Sequence, residues 1–332
     1  MSLDRLAIRA ATERFDRARI LVLGDYCLDK YLYIDPALDE LSVETGLTAY
    51  QVIRKALYAG AAGTVTGNLR ALGAQVDCVG LVGEDGEGFE LLRCLEAVGA
   101  NTGGLVRTGR LCTNTYTKPM RRQDDGSWIE LNRLDFRSHT PTPPDLEAEL
   151  LARLDRLTGA ADAVMVCDQF IERNCAVVTD RVRARLADLA EQHPDKLFYV
   201  DSRGSIGLFR SCVVKCNHLE ALRCAGLGGH ASVEDCALAL YRKNRRPVVI
   251  TRGEHGSLVC DGAVVSVPAV PVEGPVDICG AGDANSAGFV LGRVCGLDNE
   301  NAAYLANCVS SVTIRQLGVT GTASPEQVRA LL

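Results

Sequence analysis

Between residues 277 and 289 the chain reads Asp277-Ile278-Cys279-Gly280-Ala281-Gly282-Asp283-Ala284-Asn285-Ser286-Ala287-Gly288-Phe289. Three small residues, Gly280, Ala281 and Gly282, precede Asp283, and the pattern after them is helical. Without bulky side chains, consecutive backbone N–H groups can close around an anion, and a helix N-terminus adds the positive end of its dipole. A carboxylate beside a bound phosphate repels it in the ground state. Asp283 makes sense there if it accepts a proton from a hydroxyl that attacks the phosphate. The competing interpretation is a glycine-rich turn with an aspartate helix cap. The lysine of a P-loop is absent, which excludes a Walker-type site.

Four further segments have residue types suited to the same chemistry. Gly24-Asp25-Tyr26-Cys27-Leu28-Asp29 ends an apolar run, and a carboxylate at Asp25 or Asp29 can accept two hydroxyl hydrogen bonds. Gly60-Ala61-Ala62-Gly63-Thr64 is small enough to let a ligand approach the backbone. Asn217-His218-Leu219-Glu220 follows the apolar run at 213–215, and Thr251-Arg252-Gly253-Glu254-His255-Gly256 follows another apolar run. Alone, each of the four also fits a plainer role: a strand-end turn, a helix that packs closely, a helix start or a hairpin turn.

The elements that must position these residues follow from periodicity. Continuous apolar runs at residues 19–25, 77–83, 163–167, 197–201, 213–215 and 247–251 suit strands buried on both faces. Helical patterns fall between them at 61–72, 88–98, 144–157, 175–192, 232–243 and 283–295. The alternation predicts an α/β fold with a mostly parallel, doubly wound sheet. Residues 30–56 and 105–136 break that rhythm with β-type sequence and no helix. Within the second, 113–118 and 128–134 flank an Asp- and Gly-rich turn, which predicts a hairpin. Together they are expected to form a small β lid on one domain spanning 1–332.

Composition narrows the class. The chain has 332 residues, 47% of them hydrophobic, and a net charge of −6, which disfavours nucleic acid and anionic membranes as partners. Its 14 cysteines are scattered with no CxxC pair, as expected of reduced, mostly buried thiols rather than a metal or disulfide framework. No signal-like opening or membrane-length apolar run is present, so the cytoplasm is the expected location. No GxGxxG follows the first strand, which disfavours a dinucleotide oxidoreductase.

The 277–289 segment resembles the C-terminal signature of the PfkB, or ribokinase-like, carbohydrate kinases, and the other segments follow in that family's order over nearly the whole chain. The resemblance implies a three-layer α/β/α sandwich. It implies an anion hole at Gly280, Ala281 and Gly282, a catalytic base at Asp283, and sugar contacts at Asp25, Asp29, Gly60, Ala61 and Thr64. It places ATP along Lys215, Asn217, Glu220, Thr251, Gly253 and Gly256, puts Asn307 near the adenine, and gives Asn217 and Glu220 an indirect hold on Mg²⁺. A monovalent cation is a further candidate. The sequence departs from the family pattern at Ala61, Thr64, Ile278 and Cys279.

Gly24 to Tyr31, Arg133 to Phe136, Val214 to Asn217 and Leu317 to Thr322 most resemble the sugar-kinase portion of ADP-heptose synthesis proteins. That branch acts on a phosphorylated sugar, which makes Arg121, Arg122 and Arg133 candidates for its phosphate, against a role as solvated hairpin charges. The expected activity is therefore ATP-dependent phosphorylation of a hydroxyl on a sugar or sugar phosphate. A nucleoside kinase and a non-catalytic sugar-binding protein on the same fold are the alternatives. A homodimer through the lid is the expected assembly.

Overall fold

The computed structural model describes residues 3–227 and 231–332. In chain order its strands are β1 (Arg19–Gly24), β2 (Tyr26–Ile34), β3 (Glu40–Leu41), β4 (Thr48–Ala49), β5 (Val52–Ala61), β6 (Gln75–Gly83), β7 (Asn101–Thr108), β8 (Thr115–Arg122), β9 (Trp128–Glu130), β10 (Leu134–Phe136), β11 (Ala163–Asp168), β12 (Leu197–Ser202), β13 (Val213–Asn217), β14 (Val248–Thr251), β15 (Ser257–Cys260) and β16 (Val264–Val267). The helices are α1 (Arg5–Thr12), α2 (Ala62–Ala71), α3 (Gly86–Ala97), α4 (Pro144–Thr158), α5 (Asp180–Gln192), α6 (His218–Cys224), α7 (Val233–Asn244), α8 (Ala281–Val294), α9 (Asn299–Thr313) and α10 (Pro325–Arg329).

The main sheet runs β16-β15-β14-β13-β12-β11-β1-β6-β7, parallel from β14 through β7 and closed at the other edge by an antiparallel hairpin. Every expected apolar run is one of its parallel strands. In β1, Ile20 and Val22 face one core with α1, α2, α8 and α9, while Leu21 and Leu23 face a second with α4, α5 and α7. Both faces are thus covered, which is why these strands read as unbroken apolar runs. Fully burying each such side chain contributes about 1.5–3 kcal/mol. Strand order reverses between β1 and β11: the chain moves outward from β1 through β6 to β7, then returns to β11 and moves the other way. Ligands of open α/β sheets collect at the carboxyl ends of strands beside such a reversal.

The small sheet has the order β10-β8-β2-β5, with β9 paired to β8. β2 runs antiparallel to β5 and parallel to β8, and the predicted hairpin is present as β8–β9. The lid differs from expectation at two borders. It begins at Tyr26, directly after Asp25, and residues 105–108 belong instead to β7 at the edge of the main sheet. Two helix starts also move. α5 begins at Asp180, capped by Thr179, because residues 175–179 form a loop. α8 begins at Ala281, two residues before the expected start, with Gly280 as its N-cap.

Candidate active site

α8 starts at the turn that the sequence singled out. Gly280 holds the left-handed conformation (φ 75°), and a Cβ there would lie 2.5 Å from Thr320 Cγ2 and 3.4 Å from Thr64 Cγ2. Glycine is therefore required twice, by backbone and by space. Gly282 has a different reason: a Cβ would stand 3.0 Å from Lys215 Nζ. The expected anion hole needs one correction. The Ala281 N–H donates to the Ile278 carbonyl (3.1 Å), closing the turn, whereas the N–H groups of Gly280, Gly282 and Asp283 have no acceptor among the described residues. These three are the free donors.

Asp283 lies in the first turn of α8, half-buried. Burial, and next the Asp201 charge, push its pKa up to about 7, against the pull of Lys215 and Arg203. Lys215 lies midway along β13 among buried groups, 2.7 Å from Asp201 and 3.4 Å from the Gly282 carbonyl. Burial would lower its pKa, but Asp201 and then Asp283 outweigh that and the ammonium is held charged. Asp201 also accepts from Ser286 Oγ at 2.9 Å, so β12, β13 and α8 meet in one network.

The structure separates the two candidate sugar-binding aspartates. Asp25 is buried, and its two oxygens accept the backbone N–H groups of Gln169 (2.9 Å) and Val177 (3.1 Å). Burial pushes its pKa up to about 6 in spite of these bonds. It pins the loop after β11, which leaves Asp29 the more accessible of the two carboxylates. Asp29, on β2, keeps partial solvent access, pairs with Lys118 at 3.1 Å, and lies near enough to Asp283 for its charge to help raise that pKa. Gly60 makes room for it, since a Cβ at 60 would fall 2.6 Å from Asp29 Oδ2. Lys118 also donates to the Tyr31 hydroxyl at 3.0 Å.

Ala61 has φ 53° and ψ −116°, a conformation that glycine accepts and alanine strains to adopt. It is the N-cap of α2 and supplies no side-chain cap. Thr64, three residues on, is buried against the Gly280 turn, so the N-terminal turns of α2 and α8 share one corner.

Other candidates have plainer employment. Asn217 and Glu220 form a reciprocal capping box on α6 (2.9 and 2.8 Å), which is the ordinary meaning of this spacing. Thr251 to Gly256 is the turn of the β14–β15 hairpin. Gly256 is needed there because a Cβ would meet the Val267 carbonyl at 2.2 Å. Gly253 is also in the left-handed region. The Asn307 amide accepts from Ser257 (2.9 Å) and Asn285 (3.1 Å) and donates to the Pro268 carbonyl (2.9 Å), tying α8, α9 and the hairpin together. Arg121 and Arg122 pair with Asp39 (2.7 Å) and Asp35 (3.8 Å) in the small-sheet region. Arg133 forks onto Asp135 and lies 4.7 Å over the Tyr116 ring.

Sequence reasoning missed Lys118, Asp201, Ser286 and Arg203. Arg203 follows β12, is exposed, and forms no ion pair among the described residues, yet its charge reaches Asp283, Tyr116 and Cys27. A signal existed for two of them: Asp201 and Arg203 end an apolar run as Asp25 does. No group of three or more metal-ligating side chains capable of holding an ion occurs among the described residues.

Residues 26–327 match the model of the pfkB family carbohydrate kinases. The chain belongs to that family. As a pfkB-family carbohydrate kinase it is 30% identical over 99% of its length to the bifunctional protein HldE of Trichlorobacter lovleyi, and 28% identical, again over 99%, to that of Citrifermentans bemidjiense. It spans 65% and 66% of those two relatives. Among solved structures it resembles Escherichia coli phosphofructokinase-2 in complex with potassium (TM-score 0.71, 15% identity, 95% of this chain and 97% of that one). It also resembles Arabidopsis thaliana ribokinase complexed with ribose and ATP (TM-score 0.67, 18% identity, 95% and 98%). These likenesses establish the ribokinase fold. No helix among the described residues is long and apolar enough to cross a membrane.

Proposed function

We propose that this kinase transfers the terminal phosphoryl group of ATP to a hydroxyl of a sugar that already carries a phosphate, a phosphorylated heptose being the first candidate. The carrying observation is Asp283, held in the first turn of α8 beside three unpaired N–H groups, with its pKa pushed up to about 7. A carboxylate poised near neutral pH takes a proton more effectively than one near 4.

In this mechanism the sugar hydroxyl lies between Asp29 and Asp283. Its oxygen attacks the terminal phosphorus, its proton passes to an Asp283 oxygen, and the bond from that phosphorus to the bridging oxygen breaks to release ADP. The N–H groups of Gly280, Gly282 and Asp283 hold charge on the phosphoryl oxygens as it moves. Lys215 keeps Asp201 and Asp283 from repelling one another and the phosphates. The nucleotide lies along the ends of β13 and β14, at Thr251 and the following turn.

Mg²⁺ bound with the nucleotide neutralises phosphate charge. One oxygen each of Asn217 and Glu220 is spent on the α6 cap, so these residues fit an ion held through water and nucleotide oxygens rather than a cage of side chains. A monovalent cation remains part of the proposal, without assigned ligands. Support for a phosphorylated acceptor comes from Arg203, an exposed guanidinium beside Tyr116 without a carboxylate partner among the described residues, and from the HldE relatives. We further propose a homodimer through the small sheet, where Val52, Ile53, Ile129, Leu134 and Phe136 are exposed.

The test is ADP release from Mg·ATP across sugars, sugar phosphates and nucleosides, beside Asp283→Asn. Turnover with a sugar phosphate, lost in the variant, is the expected result. If no acceptor turns over while some bind and raise Tm, the chain is a binding protein on a kinase fold.

A further inference from the structure

The amino ends of the parallel strands border a second concavity, at the opposite end of the main sheet from Asp283. It encloses about 860 Å³, and its walls come from the turns that lead into β1, β11, β12, β13 and β14 and from the last turn of α8. That volume is in the range of small-molecule sites. Six bases line it: Arg14, Arg17, Lys196, Arg245, Arg246 and Arg293. Three acids, Asp162, Asp195 and Asp261, line it as well, leaving an excess of three positive charges (six less three). The whole chain carries −6, so this concentration runs against the average.

Arg14 donates to the Cys295 carbonyl and Lys196 to the Gly159 and Ala161 carbonyls, while the side chains of Arg17, Arg245 and Arg246 have no hydrogen-bond or ion-pair partner among the described residues. Among the described residues none of the six has a carboxylate oxygen within 4.0 Å. Asp162 instead accepts the Arg19 backbone N–H at 2.8 Å, and Asp261 accepts the Asn299 amide at 3.0 Å. Arg293 is the most telling. One of its nitrogens donates to the Leu297 carbonyl at 2.6 Å, but its Nε is buried with no acceptor. Burial pulls its pKa down in spite of Asp298 and Asp261. A buried guanidinium donor without an acceptor costs free energy that a bound anion returns. Several guanidinium groups converging on one concave space suit phosphate oxygens, which they can grip in pairs.

We propose that this cavity is a binding site for an oligophosphate: a di- or triphosphate chain, either inorganic or the tail of a nucleotide. The charge excess fits such a chain better than a singly charged anion, and the space accommodates a nucleoside beside it.

Calorimetric titration of the full chain with inorganic tripolyphosphate, and separately with ATP, tests this against an Arg245→Gln/Arg246→Gln variant. The expected result is tripolyphosphate binding that weakens at least tenfold in the variant, while the KM for ATP in the kinase reaction is unchanged. Two ATP sites per chain in the native protein and one in the variant identify a nucleotide as an occupant. A single ATP site in both, with tripolyphosphate still sensitive to the variant, identifies an inorganic chain. Tripolyphosphate binding that is absent, or equal in native and variant protein, overturns the proposal. If the variant does not fold, Arg14→Gln/Arg17→Gln makes the same comparison from another wall.

Discussion

In the main sheet Lys215 and Asp201 are register partners on adjacent buried strands, whereas in the small sheet most ionisable groups stand on strand faces open to solvent. Lys215 and Asp201 are 6% and 14% exposed, but Arg122 and Asp35 are 52% and 21% exposed. The same chemistry of ion pairing has different consequences in the two places. Breaking a buried pair strands a charge and costs about 3–5 kcal/mol. Breaking an exposed pair costs ~0.2–1 kcal/mol. Lys118–Asp29 is the exception in the small sheet, 12% and 16% exposed, and the Asp29 charge is among those that raise the pKa of Asp283.

The sharpest way to test this contrast is Asp283→Asn, which is expected to lower kcat/KM by roughly 10²–10⁴-fold. In the native enzyme kcat/KM should rise with pH through about 7 as the carboxylate ionises. The stability effect has the opposite direction. With its folded pKa raised from 3.8 to about 7, Asp283 does not destabilise the fold at acidic pH, and stability is lost as pH rises across that window. Asp283→Asn should therefore raise Tm at pH 8 and leave it nearly unchanged at pH 4. A rate profile flat between pH 6 and 8 would sink the base assignment.

Next in size is Lys215→Met. It leaves Asp201 and Asp283 facing one another, so about 3–5 kcal/mol of stability should go and the rising limb of the pH profile should move upward. An unmoved limb would mean that Lys215 serves the fold alone. Lys118→Ala should raise the sugar KM roughly tenfold with little change in the KM for ATP, the loss of one charge-assisted contact. Equal effects on both substrates would remove the small sheet from sugar recognition. Ala61→Gly should stabilise the protein by about 1 kcal/mol, since relief of roughly 1–3 kcal/mol of backbone strain exceeds the entropy that glycine adds to the unfolded chain. Chemical denaturation would show this as a higher midpoint. Arg122→Ala, last, should change stability by about 0.5 kcal/mol or less and leave kinetics alone; a larger loss would mean that exposed pairs matter as much as buried ones.

The same contrast decides what could be read without a structure. Main-sheet strands cover both faces with helices, so their sequences are unbroken apolar runs and every expected run is a strand. The candidate site was partly legible because Gly280, Gly282 and Asp283 fall within four consecutive residues, and one short segment carries the turn, the helix start and the aspartate. The small sheet is half-solvated and irregular, and its border near Tyr26 was invisible because β1 passes into β2 through the single residue Asp25. Asn217-x-x-Glu220 shows the limit of short motifs, since a capping box and a ligand pair share one spacing.

What the sequence by itself determined is what lies within a few residues: the alternation of strands and helices, the glycine turn, and the aspartate that follows it. Only the tertiary structure decided that Asp25 is buried against the loop after β11 while Asp29 pairs with Lys118, that Lys215 finds Asp201 across two neighbouring strands, and that the Asn307 amide bonds to Ser257 and Asn285. Periodicity and turn chemistry are local, but partner choice depends on strand register and on which buried donors remain unpaired, and those are properties of the assembled sheet.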